Sequence, residues 1–260
     1  MRYRIVDVFS DRPLAGNALC VVLDPCPAEV QPRLAREVNL SETTFPTVTG
    51  DGRYEMRILT PDGELPFAGH PSLGTAWVLG PGRWTQTTKG AIVEVVAEAD
   101  GARLWQPDAR VEKHSTEALA AAVGLPGAEG AWRVDVGGTV FLLVATEVPI
   151  EELTPSMLQV AAATNRADAE GLGVFRRLDD RSLHVRMFLP SLGIPEDPGT
   201  GSAAGPIAVL AREHWGTDVD VTIRQGDEIG RPCRIEVHAE PGAVQVGGRV
   251  AACAEGSFSL

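Results

Sequence analysis

The sequence predicts a mixed α/β (α+β) protein built as two similar lobes, each a strand-rich wall around one central helix. Three observations carry that reading. Most of the chain reads as short strands separated by turns. Two segments break the pattern, residues 71–80 and 202–214, both small and apolar almost throughout, as buried helices must be. They follow related strands: Arg57-Ile58-Leu59-Thr60-Pro61 precedes the first and Arg186-Met187-Phe188-Leu189-Pro190 the second. Arg57 and Arg186 are 129 residues apart, and His70 and Ser202 are 132 apart, in a chain of 260. A fixed offset of half the length predicts an internal duplication. A two-fold-like arrangement would bring both helix starts to one cleft.

The elements follow in order. Residues 2–10 alternate, with Ile5, Val6, Val8 and Phe9 apolar, and Asp11-Arg12-Pro13 makes a turn. Gly16-Asn17 leads into an apolar run, residues 18–23, which suits a buried strand. Val30, Leu34 and Val38 recur at helical spacing, predicting a helix over 27–39. Residues 45–48 and 54–60 are extended, with a turn at Pro61-Asp62-Gly63. Pro71 suits the first turn of the 71–80 helix because its missing N–H would be unpaired there. Strands resume over 84–106. The polar run 111–116 is expected to be a linker, which divides the chain into lobes 1–112 and 113–260, with the last strand free to return to the first lobe. Helices follow at 116–123 and 155–165, and strands at 134–145, 173–176 and 183–189. Residues 218–250 read as antiparallel strands with turns at Gly226, Gly230 and Pro241.

Composition excludes several classes. Hydrophobic residues at 44% and charged residues at 22% are ordinary for a globular chain, so dominant disorder is ruled out. No apolar run reaches the roughly 18 residues of a membrane span, and no signal peptide is expected. A net charge of -12 repels phosphate backbones, so nucleic acid is not an expected partner. Cys20, Cys26, Cys233 and Cys253 form no CxxC, which predicts reduced thiols in a cytoplasmic protein. His70, His114, His184, His214 and His238 show no metal-ligand spacing, so no metal is expected.

Three places carry candidate chemistry. In Pro195-Glu196-Asp197-Pro198-Gly199-Thr200-Gly201-Ser202, the glycines allow close backbone approach and Thr200 or Ser202 can cap the helix. The first N–H groups of that helix are unpaired and partly positive, which predicts a site for a carboxylate or phosphate. A capped helix after a turn is the plainer reading. The GxGxxxG spacing does not match a dinucleotide fingerprint. His70, in Ala68-Gly69-His70-Pro71-Ser72, sits at a helix N-terminus, whose positive potential favours a neutral imidazole able to hydrogen-bond substrate. A packing or capping His is the alternative. Glu42 joins a helix to a strand among apolar neighbours; a carboxyl buried at such a junction is suited to exchange protons near neutrality. An exposed junction Glu is the alternative.

Together these stretches resemble the PhzF-like family of phenazine-biosynthesis isomerases and their relatives. The resemblance spans nearly the whole chain: Val6-Asp7-Val8-Phe9, Asp11-Arg12-Pro13, Gly16-Asn17, Leu40-Ser41-Glu42-Thr43, the run Pro66 to Ala76, and Glu196 to Ala203. It implies the diaminopimelate epimerase-like fold, in agreement with the duplication. It also implies that Glu42 is the acid/base lifting a proton from one substrate carbon and returning it to another. His70 and Asp197 match residues that bind substrate and assist proton transfer. Gly69, Gly201 and Ser202 match substrate-binding positions, with the N–H groups of Gly201 and Ser202 holding the substrate carboxylate.

The related epimerases use one thiol from each lobe; Gly69 and Asp197 stand at the matching places here, which disfavours a two-cysteine racemase. Ala18 stands where Pro is common in the family and Ser72 where Thr is common. Arg57-Ile58-Leu59 lacks the aromatic often found in that strand. The expectation is therefore an isomerase needing no cofactor, like trans-2,3-dihydro-3-hydroxyanthranilate isomerase. It would act on a small unsaturated carboxylic or amino acid in a specialised biosynthetic pathway, as a homodimer. The competing readings are a non-catalytic carboxylate-binding protein and a hydrolase or lyase using the same carboxylate base.

Overall fold

The computed structural model describes residues 1–240 and 242–259. The chain divides into two compact units, Met1–Trp105 together with the chain from Gly247 onward, and Gln106–Val246. The first contains β1 (Arg2–Val8), β2 (Asn17–Val22), α1 (Gln31–Val38), β3 (Glu42–Gly50), β4 (Arg53–Leu59), β5 (Glu64–Leu65), α2 (Gly69–Leu79), β6 (Gly82–Thr87), β7 (Ile92–Ala97) and β8 (Gly101–Gln106), whose last residue already belongs to the second unit. The second contains β9 (Arg110–Lys113), α3 (Glu117–Val123), β10 (Gly130–Val136), β11 (Thr139–Ala145), α4 (Met157–Arg166), β12 (Gly171–Asp179), β13 (Ser182–Leu189), a 3₁₀ turn (Pro190–Leu192), β14 (Ile194–Asp197), α5 (Gly201–Trp215), β15 (Asp220–Gln225) and β16 (Cys233–Glu240). A long final strand, β17 (Ala243–Ser257), begins in the second unit and ends in the first.

In the first unit the strands close on themselves. β1 pairs with β2, β2 with β3, β3 with β4, β4 with β6, β6 with β7, β7 with β8, β8 with β17, and β17 returns to β1. Closure leaves no sheet edge to aggregate. Helix α2 packs against β1, β2, β3 and β7. Its residues from Gly69 to Ala76 are all buried, as the absence of any polar stripe in the sequence requires. Hydroxyls pin it: Ser72 Oγ donates to the Ala68 carbonyl at 2.8 Å and accepts from Gln86 Nε2 at 2.9 Å, and Gln86 Oε1 accepts from Tyr54 at 2.6 Å. Helix α1 lies outside, burying Leu34 and Ala35 with Cys20, Val22, Phe45 and Leu59.

The second unit repeats the plan. An antiparallel pair (β1/β2, then β10/β11) is followed by a helix and a strand parallel to the second member (β3, then β12). An antiparallel strand follows (β4, then β13), carrying a short strand (β5, then β14). The buried helix comes next, then a strand parallel to β4 or β13 and its antiparallel partner. The same order and the same strand senses in both units make the fold pseudo-symmetric, as the half-chain offset predicts. Here α5 packs against β10, β11, β12 and β16, while α3 and α4 cover the other face with a core that includes Leu119, Val160, Leu172 and Phe188.

Several local expectations shift. Residues 111–116 are not a free linker: residues 110–113 form β9, paired with β10, so the division falls before that strand and not at 112/113. Helix α1 begins at Gln31, because residues 27–30 close a turn in which Val30 N–H donates to Pro27 O. It ends at Asn39, in the left-handed region as expected of a C-cap. The turn expected at Pro241 lies outside the described residues.

Candidate active site

In the first unit the sequence brings a carboxylate and an imidazole together. Glu42 opens β3, in register with Leu19 of β2, and is 7% exposed. His70 is the second residue of α2 and is 5% exposed. His70 Nε2 lies 3.0 Å from Glu42 Oε2. The two atoms are close but off-line for a hydrogen bond. Gly69 precedes His70 as the first helical residue, and no side chain caps α2. The ring's other nitrogen, Nδ1, is 3.3 Å from Asn17 Nδ2, and Asn17 Oδ1 accepts from Ser41 Oγ at 3.1 Å. Ser41, Glu42, Asn17 and His70 thus form one contiguous buried or half-buried polar group.

In the second unit Asp197, Thr200, Gly201 and Ser202 gather at the start of α5. Asp197 ends β14 and is 7% exposed. Thr200 is the N-cap residue of α5, but its hydroxyl does not cap the helix: Oγ1 donates to Asp197 Oδ2 at 2.5 Å. The expected cap is corrected accordingly; the hydroxyl is drawn off by the carboxylate, and no side chain caps α5. Gln225, the last residue of β15, holds the turn from below. Its Nε2 donates to the Asp197 carbonyl at 2.8 Å and to Thr200 Oγ1 at 3.0 Å, and its Oε1 accepts from Thr200 N–H at 3.2 Å.

A second glutamine serves α5 itself. Pro206 has no N–H, so the Ser202 carbonyl four residues earlier loses its helical donor. Gln106 Nε2 supplies one, at 3.1 Å from Ser202 O and 2.9 Å from Gly201 O. Gly205 makes room for it: a Cβ there would lie 2.1 Å from Gln106 Oε1 and 2.6 Å from Val244 Cγ1.

Sequence reasoning names Glu42, His70, Asp197, Gly69, Gly201 and Ser202 and overlooks Thr200's bond to Asp197 and the supporting Asn17, Gln86, Gln106 and Gln225. Asn17 had a signal, since Gly16-Asn17 belongs to the family motif. The thiols stay out of both groups. Burial pushes the Cys20 thiol up to about 12. Burial first, then the nearby Asp197 charge, holds Cys233 well above its usual range. Among the described residues no three His, Cys, Asp or Glu side chains converge as metal ligands, and no helix is long and apolar enough to cross a membrane.

Comparison with known proteins settles the family. The model of the phenazine biosynthesis-like protein family matches residues 6–256. The chain belongs to that family. It is 37% identical over 285 residues to trans-2,3-dihydro-3-hydroxyanthranilate isomerase of Pseudomonas aeruginosa, covering 100% of this chain and 99% of the other. It is 34% identical to the enzyme of the same name from Pseudomonas chlororaphis, covering 94% and 92%. The crystal structure of a phenazine biosynthesis protein of the PhzF family from Bacillus anthracis superposes with a TM-score of 0.87 at 21% identity, over 100% of this chain and 99% of that one, which shows the shared fold. The chain is therefore a PhzF-type isomerase with the epimerase-like, pseudo-symmetric architecture.

Proposed function

We propose that this PhzF-type isomerase moves a proton between two carbons of trans-2,3-dihydro-3-hydroxyanthranilate or a closely related unsaturated amino acid, in a specialised biosynthetic pathway. The observation that carries the proposal is the buried Glu42 carboxyl facing His70 Nε2 at 3.0 Å. As carboxylate, Glu42 takes a proton from an acidic C–H. The electron pair left behind delocalises through the conjugated system toward the substrate carboxylate. As the acid, Glu42 then gives the same proton to another carbon, so no atom or electron is gained or lost.

In the first unit His70 and the first N–H groups of α2, from Gly69 onward, stabilise the delocalised negative charge; in the second, the first N–H groups of α5 at Gly201 and Ser202 are suited to hold a carboxylate. Asp197 of the second unit, oriented by Thr200 and Gln225, is suited to hydrogen-bond polar groups of a ligand. The enzyme names borne by the relatives support this substrate class. The proposal includes a homodimer, which light scattering reads as a mass near twice 27.6 kDa.

Glu42→Gln keeps the shape and removes the acid. Its expected effect on the dihydrohydroxyanthranilate is a loss of about 10²–10⁴ in kcat, the range of general acid–base catalysis. Turnover near the wild-type rate would remove Glu42 from the mechanism. Proton NMR in deuterated water follows the migrating hydrogen directly.

A further inference from the structure

We propose that Asn17 is a positioning residue that fixes the tautomer of His70. The inference rests on the reading of Glu42 as the proton shuttle and adds to it the reason His70 faces that carboxylate as a donor.

The hydrogen-bond inventory decides the direction. Ser41 Oγ is 3.1 Å from Asn17 Oδ1 and 3.4 Å from the Ala18 carbonyl, so its proton is best given to Asn17. An amide whose oxygen accepts from Ser41 presents its NH₂ to His70, at 3.3 Å from Nδ1. Nδ1 must then be the acceptor, and a neutral ring carries its proton on Nε2. That proton lies on the side of Glu42 Oε2, 3.0 Å away. The opposite setting reverses every bond: Nδ1–H would donate to Asn17 Oδ1, and Nε2 would turn a lone pair on the Glu42 carboxylate.

The backbone is built to hold Asn17 there. The loop before it visits left-handed conformations at Phe9 (φ 65°), Leu14 (φ 64°) and Gly16 (φ 70°). Asp7 Oδ2 accepts from Leu14 N–H at 2.8 Å, and Ser10 Oγ bonds both polar backbone atoms of Arg12. At Gly16 a Cβ would lie 2.5 Å from the Val8 carbonyl, so only glycine makes the tight entry into β2. Asn17 itself pairs with Val8 and is 1% exposed.

The test is two-bond ¹H–¹⁵N correlation NMR of the full chain with labelled histidine. The spectrum has five His, and His70 is assigned by its loss in His70→Gln. The wild type is expected to show a pyridine-like Nδ1 and a protonated Nε2; a protonated Nδ1 there overturns the proposal. Asn17→Asp is nearly isosteric and keeps an acceptor for Ser41, but sets a carboxylate oxygen against Nδ1. Its expected result is a protonated Nδ1, with kcat on the dihydrohydroxyanthranilate lowered about tenfold or more and KM little changed. An Nδ1 that stays pyridine-like, or unchanged kcat, shows Asn17 to be support for Ser41 only. Should Asn17→Asp fail to fold, Asn17→Ala withdraws the donor without adding charge, and His70 is expected to spread over both tautomers. A single Nε2–H tautomer in that variant assigns the role to Glu42 and removes it from Asn17. The NMR readout needs no turnover. An active Glu42→Gln would therefore sink the shuttle while leaving the tautomer result standing, and the reverse holds as well.

Discussion

Arg57 and Arg186 occupy matching places in β4 and β13 and make the same two-pronged bond to a carboxylate on the adjoining short strand, yet they should differ several-fold in their effect on stability. Arg57 Nε and Nη2 donate to the two oxygens of Glu64 at 3.1 and 2.7 Å. Arg186 Nε and Nη2 donate to Glu196 at 2.9 and 2.8 Å. Geometry does not separate them; burial does. The Arg57 and Glu64 side chains are 37% and 26% exposed, whereas Arg186 and Glu196 are 7% and 11% exposed. Water therefore replaces much of what Arg57 supplies, and its loss in Arg57→Met should cost at most about 1 kcal/mol.

Arg186 also donates through Nη1 to the carbonyls of Ile150 and Leu153, each at 3.0 Å; Leu153 N–H still serves the Ile150 carbonyl, so Arg186→Met strands a buried carboxylate and the Leu153 carbonyl. The cost of breaking such a pair is about 3–5 kcal/mol. That is about two orders of magnitude or more in the folded-to-unfolded ratio, against less than about tenfold for Arg57. Urea unfolding followed by tryptophan fluorescence reports on both units, since Trp77, Trp84 and Trp105 lie in the first and Trp132 and Trp215 in the second. The double change Arg186→Met with Glu196→Leu should recover much of the loss, because a well-packed apolar pair often matches a buried ion pair. Equal losses for the two single arginine variants would refute the claim that burial sets the difference.

Other expectations follow from the same structure. Glu228 is partly buried, which works against its charge, but His184 at 2.8 Å and the Arg186 charge outweigh this and hold it below the usual carboxylate range. Arg57 likewise lowers Glu64, chiefly by its hydrogen bonds. Lowered folded values mean stability present above about pH 4.3 and lost as pH falls through the folded values; Glu228→Gln should flatten the acid limb of a pH-dependent melting series. Gly205→Ala gains helix propensity of about 1 kcal/mol, but the new Cβ displaces Gln106 from two α5 carbonyls at a cost of about 1–3 kcal/mol. A net loss in melting temperature is expected, and a gain would show that Gln106 moves freely. Cys20, fully buried with its thiol pushed up to about 12, should resist iodoacetamide at pH 8 in the folded chain, while the half-buried Cys26 should be modified; mass spectrometry of the peptides decides.

What could be read from the sequence depended on how local its cause is. Helices α2 and α5 stand out because burial on every side removes polar residues from a contiguous stretch, and their spacing of half the chain exposes the duplication. The ends of α1 were less legible, since its first turn depends on Pro27 O capturing Val30 N–H in place of a helical bond. Strands β5 and β14 are too short to leave a periodic signal; Glu64 and Glu196 mark them only through arginines on the neighbouring strand.

The site divides in the same way. Glu42, His70 and Asp197 lie in compact motifs and can be named from them. The residues that bond to these segments from afar are glutamines and an asparagine, amides that leave no local pattern and act across the sequence: Gln106 serves carbonyls 95 and 96 residues away, Asn17 a ring 53 residues away, and Gln225 a turn 25 residues away. An amide suits this task because it satisfies a buried donor and a buried acceptor at once without bringing a charge into an apolar wall. The two lobes even reuse one solution. Gln86 near the end of β6 braces the start of α2 through Ser72, and Gln225 at the end of β15 braces the start of α5 through Thr200. The duplication thus reaches beyond strand order to the polar brace of each central helix. Asn17, by contrast, meets a ring that the second unit does not have, because Ser202 stands in α5 where His70 stands in α2. The point where the repeat breaks is therefore the point where the proposed proton chemistry is placed.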